Sequence, residues 1–215
     1  MPLRWQLPHG VIVAMSLADA GDLRQAPARA LWCASHAVPA PQVTQQVHGT
    51  AILSDGVDGP GDGRVSTQSL ASLGVFGADC PPLVLAAPDA LAVAHCGWRG
   101  TAAGMVGAVV ASLAARSVHP PSTWSALVGP GVHPDDYEVD AAVLDACAWP
   151  AGTVLPGRPG RAWLDLPAAV AALAAAAGVG AVARSPLSTS RHAQLHSHRR
   201  HGRGAPQLLV AWRTT

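Results

Sequence analysis

The chain contains no lysine and no asparagine, and only one glutamate, one tyrosine and one phenylalanine. Each absence excludes something. Without lysine there is neither a Schiff-base amine nor a phosphate-loop lysine, and all fourteen basic residues are arginines. Without asparagine there is no Asn-X-Ser/Thr acceptor site. With Glu138 as the sole glutamate, carboxylate pairs must be built from aspartate, and the zinc-protease helix motif His-Glu-x-x-His is excluded. Charge is also scarce: 13% of residues against a usual ~25%. A net charge of +1 supplies no general field to recruit nucleic acid or an anionic membrane. A local basic pocket is still compatible with it.

Cysteine is sparse too. Cys33, Cys80, Cys96 and Cys147 show no C-x-x-C spacing, and four in 215 residues do not make a disulfide scaffold. Met1–Gly10 lacks a charged-then-apolar leader pattern, and no apolar run approaches 18 residues. The expectation is a reduced, soluble, cytoplasmic protein, monomeric by default. What is abundant is alanine, 43 residues, which together with the arginine bias reflects composition rather than function. At 49% hydrophobic, the chain can bury roughly 70% of its unfolded surface.

Val11–Leu17 reads as a strand, Leu23–Trp32 as a short helix and Val43–Leu53 as extended segments around His48-Gly49. Ser54–Gly63 (SDGVDGPGDG) is loop by composition. Leu83–Ala86 and Leu91–His95 flank Ala87-Pro88-Asp89-Ala90, which predicts a hairpin. Ala102–Arg116 carries Val106, Val109, Val110 and Leu113 at helical spacing, with Thr101 as the expected N-cap. Trp124–Val128 is a strand and Ala141–Trp149 a helix. Leu164–Leu166 is a short strand, and the alanine-rich helix opened by Asp165–Pro167 runs to Ala177. Val179–Arg184 and Leu208–Trp212 are late strands, separated by a basic segment, Arg191–Arg203. With no strict βαβ rhythm, no repeat and no linker, residues 1–215 read as one α+β domain.

The hairpin carries the chemical argument. Pro81-Pro82 holds Cys80 extended at the hairpin's entrance, and His95 sits at its exit, so the two are predicted neighbours. A buried thiol and a structural imidazole are the ordinary reading. A strand end beside a glycine loop favours a site instead. His48 is the natural third member, since two imidazoles and a thiolate suit zinc, and three protein ligands with an open position are the catalytic pattern. Gly97-Trp98-Arg99-Gly100 precedes a predicted helix N-terminus, which favours an anion, and Arg99 adds a fork for phosphate or carboxylate. Trp98 either stacks on a base or fills the core. Ser197-His198-Arg199-Arg200 is either a solvated basic loop or a segment whose Arg199 or Arg200 closes over an anionic substrate. Tyr137-Glu138-Val139 is either structural or catalytic.

Taken together, Gln46-Val47-His48-Gly49, Ala78-Asp79-Cys80-Pro81, His95-Cys96-Gly97-Trp98-Arg99-Gly100, Gly129-Pro130, Tyr137-Glu138-Val139 and Ser197-His198-Arg199-Arg200 resemble the polyphenol-oxidase (laccase-domain) family from about residue 10 onward. Its members are also described as purine nucleoside phosphorylases and include the bacterial peptidoglycan-editing factor. The resemblance implies a four-layer α/β/β/α sandwich with mixed sheets and a metal site on His48, Cys80 and His95. It also implies zinc-dependent phosphorolysis of adenosine, inosine and methylthioadenosine, with adenosine deamination. Cys80, His95 and Arg99 would be catalytic; Trp98, Arg99, Arg199 and Arg200 would bind substrate and phosphate. Glu138 or Asp79 would carry the proton in deamination.

The chain departs from the family pattern in three places. Cys96 replaces a usual alanine, with a thiol able to bind metal or oxidise. Ser188 replaces a frequent cysteine, and Leu195-His196 replace an aromatic pair, which bears on base stacking. A multicopper oxidase needs several His-x-His pairs; the chain has one, His196-Ser197-His198, so copper would be an adventitious occupant. Two other readings use the same residues: a metal-free Cys80–His95 amide hydrolase acting on a peptidoglycan precursor, and a non-catalytic module that sequesters a nucleotide or cell-wall precursor.

Overall fold

The computed structural model describes residues 1–214. In chain order the strands are β1 (Leu3–Leu7), β2 (Val11–Met15), β3 (Ile52–Leu53), β4 (Gly63–Ser66), β5 (Ser72–Gly77), β6 (Pro82–Ala86), β7 (Leu91–His95), β8 (Ser125–Val128), β9 (Glu138–Asp140), β10 (Val154–Pro156), β11 (Arg161–Leu164), β12 (Ala181–Arg184) and β13 (Gln207–Arg213). The α-helices are α1 (Ala26–Ser35), α2 (Trp98–Ala102), α3 (Met105–Ala114), α4 (Ala141–Leu144), α5 (Leu166–Ala176) and α6 (His198–His201). They form a four-stranded sheet, β1-β2-β13-β5, a six-stranded mixed sheet, β12-β8-β6-β7-β4-β3, and a small sheet, β10-β11-β9.

Period-two alternation along the strands explains the layering, because successive side chains point to opposite faces. Val11, Val13 and Met15 of β2 meet Val84 and Ala86 of β6, Leu91 and Val93 of β7, and Leu209 and Ala211 of β13; this is the seam between the two large sheets. Leu83, Leu85, Ala92 and Ala94 face the opposite way and pack against Val106, Val109 and Leu113 of α3 and Val170 of α5. Ala14, Leu208 and Val210 point outward from the four-stranded sheet onto Trp32 and Cys33 of α1. The order is helix, sheet, sheet, helix: the four-layer α+β sandwich with mixed sheets that the resemblance implies.

The predicted hairpin forms with Pro82 opposite His95 and Ala86 opposite Leu91. Several sequence expectations need correction. The helix expected over Ala102–Arg116 is broken in two. Gly104, at φ +96°, caps α3, while Thr101 lies inside α2 with its hydroxyl unpaired. The helix expected over Ala141–Trp149 stops at Leu144, where the Trp149 indole N–H donates to the Val143 carbonyl (2.9 Å) that a longer helix would use. Most of Val43–Leu53 is irregular, with only Ile52–Leu53 in a strand. Strands β1, β4, β9 and β10 were not foreseen. Asp165 does cap α5, accepting from Ala168 N at 2.8 Å, with Pro167 in the first turn.

Candidate metal centre

β6 and β7 carry Cys80 and His95 to the same end of the six-stranded sheet, and the 46–49 segment brings His48 to them. One ligand atom from each lies within 4.8 Å of the other two. The two imidazoles meet edge to face, with ring centroids 4.8 Å apart.

A residue that sequence reasoning left in a loop organises this cluster. Asp62 is fully buried, and its carboxylate accepts from the backbone N–H groups of Val47 (3.0 Å), His48 (2.9 Å) and Gly49 (2.8 Å). It also accepts from His95 Nδ1 at 2.8 Å. One side chain therefore holds His48 at φ +61°, a conformation costly for a residue with a Cβ. The same side chain keeps the His95 proton on Nδ1 and leaves Nε2 for Cys80 or a metal. Burial alone would raise the Asp62 carboxyl, but His95 and the three N–H groups hold it below its ordinary value. A sequence signal existed: Asp62 begins Asp-Gly-Arg-Val-Ser, where the loop turns apolar and enters β4.

Electrostatics at the thiol follow the same contest. Burial pushes Cys80 up, while hydrogen bonds and charge from His48 and His95 outweigh it and bring the thiol down to about 7. For His95, burial opposes the charged form; Asp62 and Cys80 overcome it and raise the imidazole to about 9. Cys96 does not join the group. It is fully buried in the helix-side core, and desolvation pushes its thiol far up, so it acts as a small hydrophobe rather than a ligand.

The donor chemistry fits a zinc ion: two neutral nitrogens and a thiol already biased toward thiolate, backed by a carboxylate on one imidazole. Gly97 closes the floor. A Cβ there would meet Cys80 Sγ and His48 Cδ2 at 3.0 Å, so a side chain would intrude between the ligands.

The cluster opens onto a cavity of about 1500 Å³. Trp98, Arg99, Tyr137 and Arg199 line it near the cluster. The Arg99 guanidinium lies 4.4 Å over Trp98, and that of Arg199 lies 4.8 Å over Tyr137. Trp98 also packs on the helix-side core, so both of its sequence readings hold. Arg200 is a correction. It does not line the cavity, and its guanidinium donates to the Ser190 carbonyl (2.9 Å) and His201 Nε2 (2.8 Å). The helix following Arg99 has five residues, too short for the dipole expected there.

Asp79 lines the cavity at φ +87°, but both of its oxygens are engaged: one accepts from the Thr189 hydroxyl (2.6 Å), the other from Arg199 N (2.7 Å). It ties the Arg199 turn to the Cys80 strand. Glu138 is outside the lining and bound by Arg158. Leu195 is buried, and His196 stacks on His201 away from the cavity, so neither offers a surface to a base there. The Gln46 amide, in contrast, bonds both backbone groups of Phe76 and pins the His48 segment to β5.

The comparisons agree with this geometry. Residues 17–213 match the family model described as multi-copper polyphenol oxidoreductase laccase. A purine nucleoside phosphorylase from Xylella fastidiosa is 32% identical over 190 residues, covering 80% of this chain and 72% of its own. The purine nucleoside phosphorylase YlmD of Geobacillus stearothermophilus is 34% identical over 188 residues, 82% of this chain and 68% of its own. The crystal structure of YlmD superposes with a TM-score of 0.88 at 27% identity, covering all of this chain and 96% of that one. An adenosine deaminase, RL5, from an unknown prokaryotic organism is 34% identical over 60% of this chain and 53% of its own. The chain belongs to the laccase-like polyphenol oxidoreductase family, whose relatives here are named purine nucleoside phosphorylases.

Proposed function

We propose that this protein is a zinc-dependent purine nucleoside phosphorylase acting on adenosine, inosine or methylthioadenosine. The observation that carries the reading is the His48–Cys80–His95 cluster at the floor of a cavity whose near wall presents Arg99 and Arg199. His48, Cys80 and His95 would hold the metal, which supplies a Lewis acid when bound. Arg99 and Arg199 neutralise inorganic phosphate, and their aromatic partners hold both guanidinium planes flat against the wall. In phosphorolysis the C1′–N9 bond breaks with its electron pair leaving on the purine, which takes up a proton, and a phosphate oxygen bonds to C1′. Phosphate held beside C1′ stabilises the positive charge that develops there. Asp62 keeps the His95 proton at Nδ1 throughout.

Deamination of adenosine is the second activity, supported by the similarity to RL5. It needs a proton carrier, and the geometry is less favourable: Glu138 lies outside the cavity and Asp79 has both oxygens occupied. A metal-free amide hydrolase is favoured by one observation, the Cys80 thiol held near 7 beside a protonated His95.

The test is chromatography of a nucleoside panel with and without phosphate, alongside elemental analysis of protein purified without added metal. About one zinc per chain and phosphate-dependent release of adenine from adenosine are expected, with release abolished in Cys80→Ala. Undiminished turnover in that variant would remove the cluster from the mechanism. Absence of metal with alkylation-sensitive amidase activity would favour the thiol enzyme. Tight nucleoside binding without turnover would make the protein a binding module.

A further inference from the structure

The cavity is larger than its proposed substrate. Pockets of ~300–1,000 Å³ already enclose drug-sized ligands, and this one holds about 1500 Å³. Its surplus lies toward a wall built from the 22–29 segment and the 203–206 loop, distinct in sequence from the Arg99 and Arg199 wall.

That second wall is cationic as well. Arg24, Arg29 and Arg203 line it, and the three aspartates lining the cavity are all committed. Asp22 is bridged by Arg24, Asp58 pairs with Arg64, and Asp79 holds the Thr189 hydroxyl and Arg199 N. Arg29 and Arg203 have no carboxylate partner among the described residues. Arg29 donates to the Leu23 and Arg24 carbonyls, which positions it without neutralising it. Arg203 ends the basic segment singled out in the sequence and makes no side-chain hydrogen bond among the described residues. Thr44 also lines the cavity; it is 8% exposed, and its hydroxyl has no hydrogen-bond partner.

We infer that Arg29 and Arg203 form a second anion subsite, and that the cavity takes a purine nucleoside carrying a phosphate on its sugar, a nucleoside 5′-monophosphate. A guanidinium fork pairs most strongly with phosphate or carboxylate. The Arg99 and Arg199 wall is assigned to the inorganic phosphate of the reaction, so a second cationic wall calls for an anion on the ligand itself. This deepens the proposed function and rests on it for the purine.

The test is calorimetric titration of the intact protein with adenosine, with AMP, and with AMP in excess inorganic phosphate. The variants are Arg203→Gln, Arg29→Gln and Arg99→Gln. Arg203→Gln is the primary variant because Arg203 supports no other part of the fold; Arg29→Gln also removes two carbonyl contacts. AMP is expected to bind about tenfold tighter than adenosine. The advantage should survive excess phosphate and disappear in Arg203→Gln, with adenosine affinity unchanged. Equal affinities for AMP and adenosine would overturn the subsite, as would an advantage erased by free phosphate or lost only in Arg99→Gln. If neither adenosine nor AMP binds, it is the purine reading that fails, and the subsite falls with it.

Discussion

At the scale of single residues, the site depends on one buried carboxylate that no motif singled out. Asp62 accepts four hydrogen bonds that reach two of the three candidate ligands. Asp62→Asn preserves shape but removes the charge and replaces one acceptor with an amide. Zinc affinity, read by competition with a chromophoric chelator, should fall about 10–100-fold, with the circular dichroism spectrum retained. Unchanged affinity would reduce Asp62 to a loop tether. The thiol gives a second residue-scale expectation, for the metal-free protein. Cys80 is held below its ordinary 9.0, so its contribution to stability is present above 9 and is lost as pH falls through about 7. His95 is held above its ordinary 6.5, so its contribution is present below 6.5 and is lost as pH rises through about 9. Denaturation midpoints measured across pH should therefore peak between about 7 and 9. Zinc should protect Cys80 from alkylation in the same range.

At the scale of elements, the break between α2 and α3 keeps Trp98 and Arg99 at the cavity. An uninterrupted helix would have carried the chain away along one axis. Gly104 makes the break at φ +96°, and nothing lies within 4 Å of where its Cβ would be. Gly104→Ala should therefore cost stability through backbone strain alone, about 1–2 kcal/mol, measured by urea unfolding. A neutral result would show that the turn relaxes. Element existence was legible because the signals are local. The apolar spacing of α3, the Asp165 cap and the Pro88-containing turn of the β6–β7 hairpin act over a few residues. The irregular 43–51 segment was not legible as such, because its backbone is paired with the Gln46 and Asp62 side chains rather than with a neighbouring strand. The same applies to Glu138, whose place outside the cavity is set by Arg158, twenty positions away.

At the scale of the whole molecule, the seam between the two large sheets holds the strand ends that carry the cluster. Leu209, fully buried there, packs with strands of both sheets. Leu209→Ala should destabilise the fold by about 2–5 kcal/mol in chemical denaturation, with zinc stoichiometry unchanged under native conditions. Loss of metal at full foldedness would mean that the seam positions the site directly. The layering also concentrates charge. A chain of net charge +1 places five arginines and three aspartates around one cavity, a bias toward anionic ligands that the overall composition conceals.

The amino-acid sequence by itself determined the α+β class, the hairpin and the meeting of Cys80 with His95, because two strands joined by a short turn must bring their outer ends together. It also marked His48, through chemical suitability and family resemblance rather than through spacing. Only the tertiary structure decided which neighbours serve the site. Asp62 was selected and Arg200 and Glu138 were turned away by contacts between segments remote in the chain, and Cys96 was buried by the packing of α3 on the sheet. Side-chain direction on a loop and burial at a strand end depend on what packs against them, and no local pattern encodes that.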